Sequence, residues 1–246
     1  HWSVDLIRKA ALAYARDEKT AKEVGDFVKV TSDMAFGLPY DKAAYSFDAK
    51  KKFGINVSSL LWDDNTRGRF GLSIDYKAFY RSLITYLIET GEYQVHIIPH
   101  VIDNKNYEAA ENDYRVCCEL EKEFKGHVIL APAFETAIQA KSYISNMDVF
   151  LGSRMHSTIG AISSGVATIP LSYAYKFEAL YSHINYPYVI NARKATTEEA
   201  LKMTKQWASE RDKLKETGEI AVSHALDELV DFKNDLKISL KNNDIL

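Results

Sequence analysis

The apolar positions of this chain switch repeatedly between helical spacing and short continuous runs, and the elements they predict alternate along its length. Helical spacing over residues 4–11 gives way to the apolar run Leu12-Ala13-Tyr14-Ala15, closed by Arg16 and the charged pair Asp17-Glu18. A second helix reaching Gly25 and a strand at Phe27-Val28-Lys29-Val30 follow, so residues 1–31 read helix, strand, helix, strand. The charged stretch 41–52 has no clear period and reads as a linker. From Ile55 the rhythm restarts. Strands are expected at 55–61, 94–99, 128–131, 149–151 and 168–172, separated by helices at 74–89, 107–124 and 136–146 and followed by helices starting at His156 and Lys176. Strands that are apolar throughout belong in a parallel sheet covered on both faces, so the expectation is an α/β, doubly wound, Rossmann-like sheet. Residues 197–240 combine helical spacing with dense charge, which predicts surface helices packing back toward the first domain.

Bulk properties narrow the function more than the fold. With 31 basic and 34 acidic residues among 246, no global field recruits nucleic acid, and any anion must be held locally. Two cysteines lie side by side at 117 and 118, where their side chains diverge on a helix and suit a reducing compartment. There is no apolar run of spanning length and no signal peptide, so the chain reads as cytoplasmic. Its opening, His1-Trp2-Ser3, has neither an initiator Met nor a helix cap and reads as the end of a preceding domain.

In a doubly wound sheet ligands gather where strands end and helices begin. The segment Gly152-Ser153-Arg154-Met155-His156-Ser157 is such a turn, with the small-residue run to Gly165 behind it. Free helix amides, the Ser157 and Thr158 hydroxyls and the Arg154 guanidinium would converge there on a phosphate or carboxylate. Neither G-x-G-x-x-G nor G-x-x-x-x-G-K-[ST] is present, which weakens dinucleotide and P-loop readings. On spacing alone Arg154 could equally form a surface salt bridge and His156 cap its helix. Tyr173 and Lys176 follow the next strand and His100 ends another, which places all three on the same rim. His96 lies mid-strand and reads as core. Asp63 and Asp64 could bind hydroxyls or simply turn the chain, and Arg67 and Arg69 could clamp an anion or line a solvated loop. No cluster has metal-ligand spacing.

Three segments in order, Ser145 to Ser157 with its R-x-H-S turn, Gly165 to Pro170 with G-V-x-x-I, and Tyr173 to Leu180 with Y-x-x-K-F, resemble the polysaccharide pyruvyl transferase family. Weaker echoes lie at Arg16-Asp17-Glu18 and Ser32 to Pro39, so the likeness spans roughly residues 12–190; Ala167 stands where the family has proline. The resemblance implies a GT-B-like two-domain fold with an active cleft between the domains. On it, residues 1–50 are the end of the N-terminal Rossmann-like domain with the linker, 51–192 the C-terminal donor-binding domain, and 193–246 the C-terminal helices.

Phosphoenolpyruvate is then the donor substrate and no cofactor is needed. The acceptor is an oligosaccharide or lipid-linked sugar, compatible with peripheral association at the inner face of the cell membrane. His156 would be the catalytic acid or base, Arg154, Ser157, Thr158 and Lys176 would bind the donor anion, and His100, Tyr173 and Asp63 would line the acceptor side. Replacing Arg154 or His156 by alanine is then expected to abolish ketal formation in a folded protein. A nucleotide-sugar glycosyltransferase using Glu178 at a ribose, or a non-catalytic glycan- or anion-binding relative, are the alternatives.

Overall fold

The computed structural model describes residues 2–64 and 68–242. It opens with helix α1 (Trp2–Ile7), strand β1 (Tyr14–Ala15), helix α2 (Glu18–Val24) and strand β2 (Lys29–Val30). The two strands pair in parallel, Tyr14 with Lys29 and Ala15 with Val30. Asp17 starts α2 by accepting from the Thr20 amide, the capping role for which a short carboxylate is suited.

The main sheet has six parallel strands: β3 (Lys52–Asn56), β4 (Gln94–Ile97), β5 (Val128–Leu130), β6 (Val149–Gly152), β7 (Ala167–Ser172) and β8 (Ile190–Asn191). Their spatial order is β5-β4-β3-β6-β7-β8. The chain winds outward from β3 in one direction, returns, and winds outward in the other, so the order reverses between β3 and β6. All residues of β3, β6 and β7 are buried, the consequence of helices on both faces. Phe53, Ile55, Val149 and Leu151 enter one core, while Phe150 enters a second with Tyr143 and Ile144. Gly54 is required by that second layer: a Cβ there would lie 2.8 Å from both Met147 Cγ and Phe150 Cδ2.

The crossovers are α3 (Ser59–Trp62), α4 (Tyr76–Thr90), α5 (Asp113–Glu123), α6 (Ala137–Ile144), α7 (Met155–Ile162) and α8 (Tyr175–His183). The expected strand at 55–61 is corrected. It begins three residues earlier and ends at Asn56, and Ser59–Trp62 turn as a short helix. An apolar run of that length does not itself record where extended backbone ends. The helix expected from Tyr107 begins only at Asp113, because the Asn112 side chain caps it from the Tyr114 amide.

After β8 come α9 (Thr197–Ser209) and the 32-residue α10 (Arg211–Asn242). α10 returns to the first segment. Tyr14 donates to Asp235 at 2.5 Å, Lys29 pairs with the same carboxylate, and Ser32 donates to Glu228 at 2.6 Å. The connecting segment 34–44 is pinned by Lys141 on α6, whose buried ammonium donates to the Leu38 carbonyl at 2.7 Å. Burial lowers the Lys141 pKa to about 8.

Candidate active site

The order reversal between β3 and β6 places Asn56 beside Gly152, and everything polar nearby is organised around these two strand ends. The Asn56 amide oxygen accepts from the Arg154 backbone at 3.0 Å and from the Ser157 hydroxyl at 3.1 Å, while its nitrogen donates to the Ile98 carbonyl. One side chain therefore ties together the ends of β3, β4 and β6. Beneath it, Tyr76 and Tyr80 of α4 reach the Ser153 hydroxyl at 2.8 and 2.6 Å. Gly152 lets α7 sit close on the strand: a Cβ would meet Phe150 at 2.7 Å and Ser157 Oγ at 2.9 Å.

Arg154 is not a surface residue. Its guanidinium is buried and forks onto Asp113, with Nη2 at 2.8 Å from Oδ1 and Nε at 3.1 Å from Oδ2, and donates further to the Glu111 carbonyl. Asp113 is fully buried and also accepts from the Ser59 and Val101 amides. Burial works against the Arg154 charge, but the Asp113 carboxylate outweighs it and the pKa rises. The expectation that Arg154→Ala leaves the fold intact is therefore corrected, because it would strand this buried carboxylate.

His156 behaves differently. Its side chain is 53% exposed, and Nε2 lies 3.5 Å from Asp33 Oδ2, which Arg16 also contacts at 2.6 Å. Burial would raise the Asp33 carboxyl, yet the bonds from His156, the Ala35 amide and Arg16 hold it well below the usual carboxylate range. Arg16 follows β1 and Asp33 follows β2, so the small sheet and the large one meet at this histidine. Lys19 of α2 lies 4.1 Å over the Tyr175 ring of α8.

The remaining expected residues fall into three places. The Ser157 and Thr158 hydroxyls are buried and engaged inside the protein, Ser157 with Asn56 and the Arg154 carbonyl, Thr158 with Met155 and Tyr181, so they fasten α7. His100 and Tyr173 stand beside Arg154. Burial lowers the His100 pKa to about 4, keeping the imidazole neutral, and its Nδ1 is buried with no partner among the described residues. Tyr173 is buried edge-on against Phe70. Lys176 is exposed in the first turn of α8. Asp63 is drawn away by Arg115 at 2.6 Å, and Asp64 pairs with Lys77. Arg69 lies in a short turn at Gly68–Phe70, and Arg67 lies outside the described residues.

α2, α4, α5, α6 and α9 all carry a side-chain cap. α3, α7 and α8, which follow the neighbouring strands β3, β6 and β7, have none. At α3 the capping position is Ser58, whose hydroxyl is buried without a partner among the described residues. The α7 and α8 starts are therefore uncapped side by side where helix dipoles are positive, whereas the first amide of α3, that of Ser59, is taken by the buried Asp113 carboxylate.

Residues 4–175 match the model of one family, described as polysaccharide pyruvyl transferase. The chain belongs to that family. No curated protein matches it. Among solved structures, this chain is similar to an α,α-trehalose-phosphate synthase (UDP-forming) from Burkholderia vietnamiensis, with TM-score 0.57 and 11% identity over 99% of this chain and 63% of that one. It is also similar to a UDP-GlcNAc 2-epimerase from Neisseria meningitidis bound to UDP-GlcNAc, with TM-score 0.52 and 11% identity over 90% of this chain and 61% of that one. At such identity the likeness is one of fold, and it makes the architecture Rossmann-like and GT-B-like. The chain spans 47% and 46% of two further glycosyltransferase structures it matches.

Asn56, Asp113, Asp33 and Arg16 had no assigned role in the sequence. Arg16 and Asp33 fall inside the two N-terminal echoes of the family pattern, each just after a strand, and that position was the available signal. Asp113 becomes visible once Asn112 is recognised as a cap.

Proposed function

We propose that this pyruvyl transferase chain binds phosphoenolpyruvate at the edge between β3, β6 and β7 and transfers its pyruvyl group to a sugar of a cell-surface polysaccharide or lipid-linked precursor. The observation carrying this reading is the pair of adjacent uncapped helix starts, those of α7 and α8, beside Arg154 and His156. Phosphoenolpyruvate carries a carboxylate and a phosphate close together, and a pair of positive helix ends with Lys176 nearby suits two linked anions better than one. Ser58 and the neutral His100 add polar atoms that lack partners among the described residues.

The chemistry needs a proton on the methylene carbon, which leaves C2 cationic, followed by attack of one acceptor hydroxyl. Loss of phosphate and attack of a second hydroxyl close the ketal. Two hydroxyl protons are released, one replacing that given to carbon and one leaving with phosphate. His156 is the exposed titratable group at this edge and exchanges these protons. Asp33 accepts from Nε2, which fixes the ring and leaves Nδ1 for the substrate.

Calorimetric titration separates this reading from its rival. Phosphoenolpyruvate should bind and UDP should not; the reverse result would make the chain a nucleotide-sugar enzyme of the same fold. His156→Gln should keep donor binding and lower transfer by about 10²–10⁴-fold. A lipid-linked acceptor would bring the protein to a membrane face; no described helix is long and apolar enough to cross one.

A further inference from the structure

Lys141 of α6 is 3% exposed, and among the described residues no carboxylate pairs with it. An ammonium taken out of water without an anion beside it is costly, and a methionine of similar length would fill the space at less cost. The charge is spent on backbone instead. It donates to the Leu38 carbonyl at 2.7 Å and to the Phe36 carbonyl at 3.5 Å, with the Tyr40 ring 5.2 Å away. These carbonyls close a 3-10 turn, Met34–Gly37, and a cation suits the carbonyl end of a helical turn. Asp33 opens the same turn, accepting from the Ala35 amide at 3.0 Å while it holds His156. Lys141 and the partner of His156 thus occupy the two ends of one short rigid element.

That element packs on α7. His156 and Gly160 are four residues apart on α7 and share a face. The stem of Lys141 crosses at the second of them: a Cβ on Gly160 would already touch Lys141 Cγ at 3.7 Å. At 3.5 Å the contact between Asp33 and His156 is long, so a shift of the turn by about 1 Å breaks it. Arg16 holds the same Asp33 oxygen at 2.6 Å and would draw the carboxylate toward the first segment once the turn is free. We propose that Lys141 is a positioning residue for His156, acting through this turn: by fixing the carbonyls of residues 36 and 38 it keeps Asp33 on Nε2. That the positioned ring moves protons rests on the pyruvyl-transfer reading above. Ser142 and Asn146 hold the same connecting segment farther along, at the Asp41 amide and the Lys42 carbonyl, and supply the contrast.

Long-range ¹H–¹⁵N NMR of the imidazoles tests this in the whole chain, with His156 assigned by its loss in His156→Gln. In Lys141→Met the His156 ring signals should move at least roughly half of the way to their position in Asp33→Asn. The His96 signals should stay in place, since that ring bonds Tyr143 and reports α6 seated on the sheet. Asn146→Ala should leave the His156 signals as in the parent. Lys141→Met should also bind phosphoenolpyruvate with the parent's affinity and lower kcat for transfer about ten- to a hundredfold. Lys141→Gln, polar but too short to reach the carbonyls, makes the same comparison if the methionine variant does not fold. The proposal is overturned if the His156 signals of the lysine variant stay with the parent, which would leave the Thr31 and Ser32 bonds to Glu228 holding Asp33. It is overturned equally if Asn146→Ala moves them as far, or if donor affinity falls as much as kcat. Signals that move in Lys141→Met, beside a parent that ignores phosphoenolpyruvate, would keep the positioning role and overturn the transfer reading alone.

Discussion

Arg154 and His156 are two positions apart in one turn, yet substitution should separate them completely. Removing the Arg154 guanidinium leaves Asp113 fully buried and unpaired, which costs about 3–5 kcal/mol. Arg154→Ala should therefore unfold at markedly lower urea than the parent. The double variant Arg154→Met with Asp113→Leu should recover most of that loss in the same titration while remaining unable to bind phosphoenolpyruvate. Asp33 lies between these extremes. Asp33→Asn keeps the shape but withdraws the charge that orients His156. Loss of such an orienting carboxylate lowers kcat by up to about 10⁴ in a serine protease triad. Here a smaller fall is expected, with KM for phosphoenolpyruvate unchanged and the pH profile of kcat displaced. A fall in KM-dependent terms alone would show that Asp33 serves donor binding instead. None of these pairings was legible from spacing, because Arg154 meets Asp113 from 41 positions away and Asn56 from 98. The turn itself was legible, since small residues, an arginine and a histidine are packed into six consecutive positions.

At the level of elements, the alternating pattern gave the sheet and its helices because most strand positions of the main sheet are apolar. The ends were not legible, neither at Asn112, whose cap the reading from Tyr107 passed over, nor at β3, where Ser58 holds the cap position without making the cap bond. Strand β4 carries a further consequence. His96, read from sequence as core, is buried between Gln94 and Tyr143, and burial lowers its pKa to about 4, as it does that of His100. Both imidazoles stay neutral in the folded chain down to that pH, whereas the unfolded chain protonates them near 6.5. The unfolded state thus binds more protons across this window, and stability falls as pH is lowered through it, by up to about 1.4 kcal/mol per pH unit for each histidine. Urea unfolding at pH 7, 5.5 and 4.5 measures the slope, and His96→Gln should flatten it. An unchanged slope in that variant would mean that other groups govern the acid limb.

Across the whole molecule, α10 connects what the sheet alone would leave apart. Its Glu228 and Asp235 hold Ser32, Lys29 and Tyr14 of the first segment, and Glu228 also accepts from His183 of α8 at 2.9 Å. Glu228→Ala with Asp235→Ala should raise hydrogen exchange across residues 14–37 while β3, β6 and β7 keep their protection. Equal protection throughout would show that the first segment is held by packing instead. The two uncapped helix starts of α7 and α8 carry a cost of the same molecular scale. A cap contributes about 1 kcal/mol, so a fold that omits two gives up roughly 2 of the 5–15 kcal/mol that hold a domain together. This is a trade between robustness and activity, and it can be run backwards. Ala174→Asp would supply α8 with the cap it lacks, raising the melting temperature, and would place a carboxylate where the donor anion is proposed to lie. Selection for heat tolerance alone should find that substitution easily, and a lineage that kept it would have closed the proposed anion site.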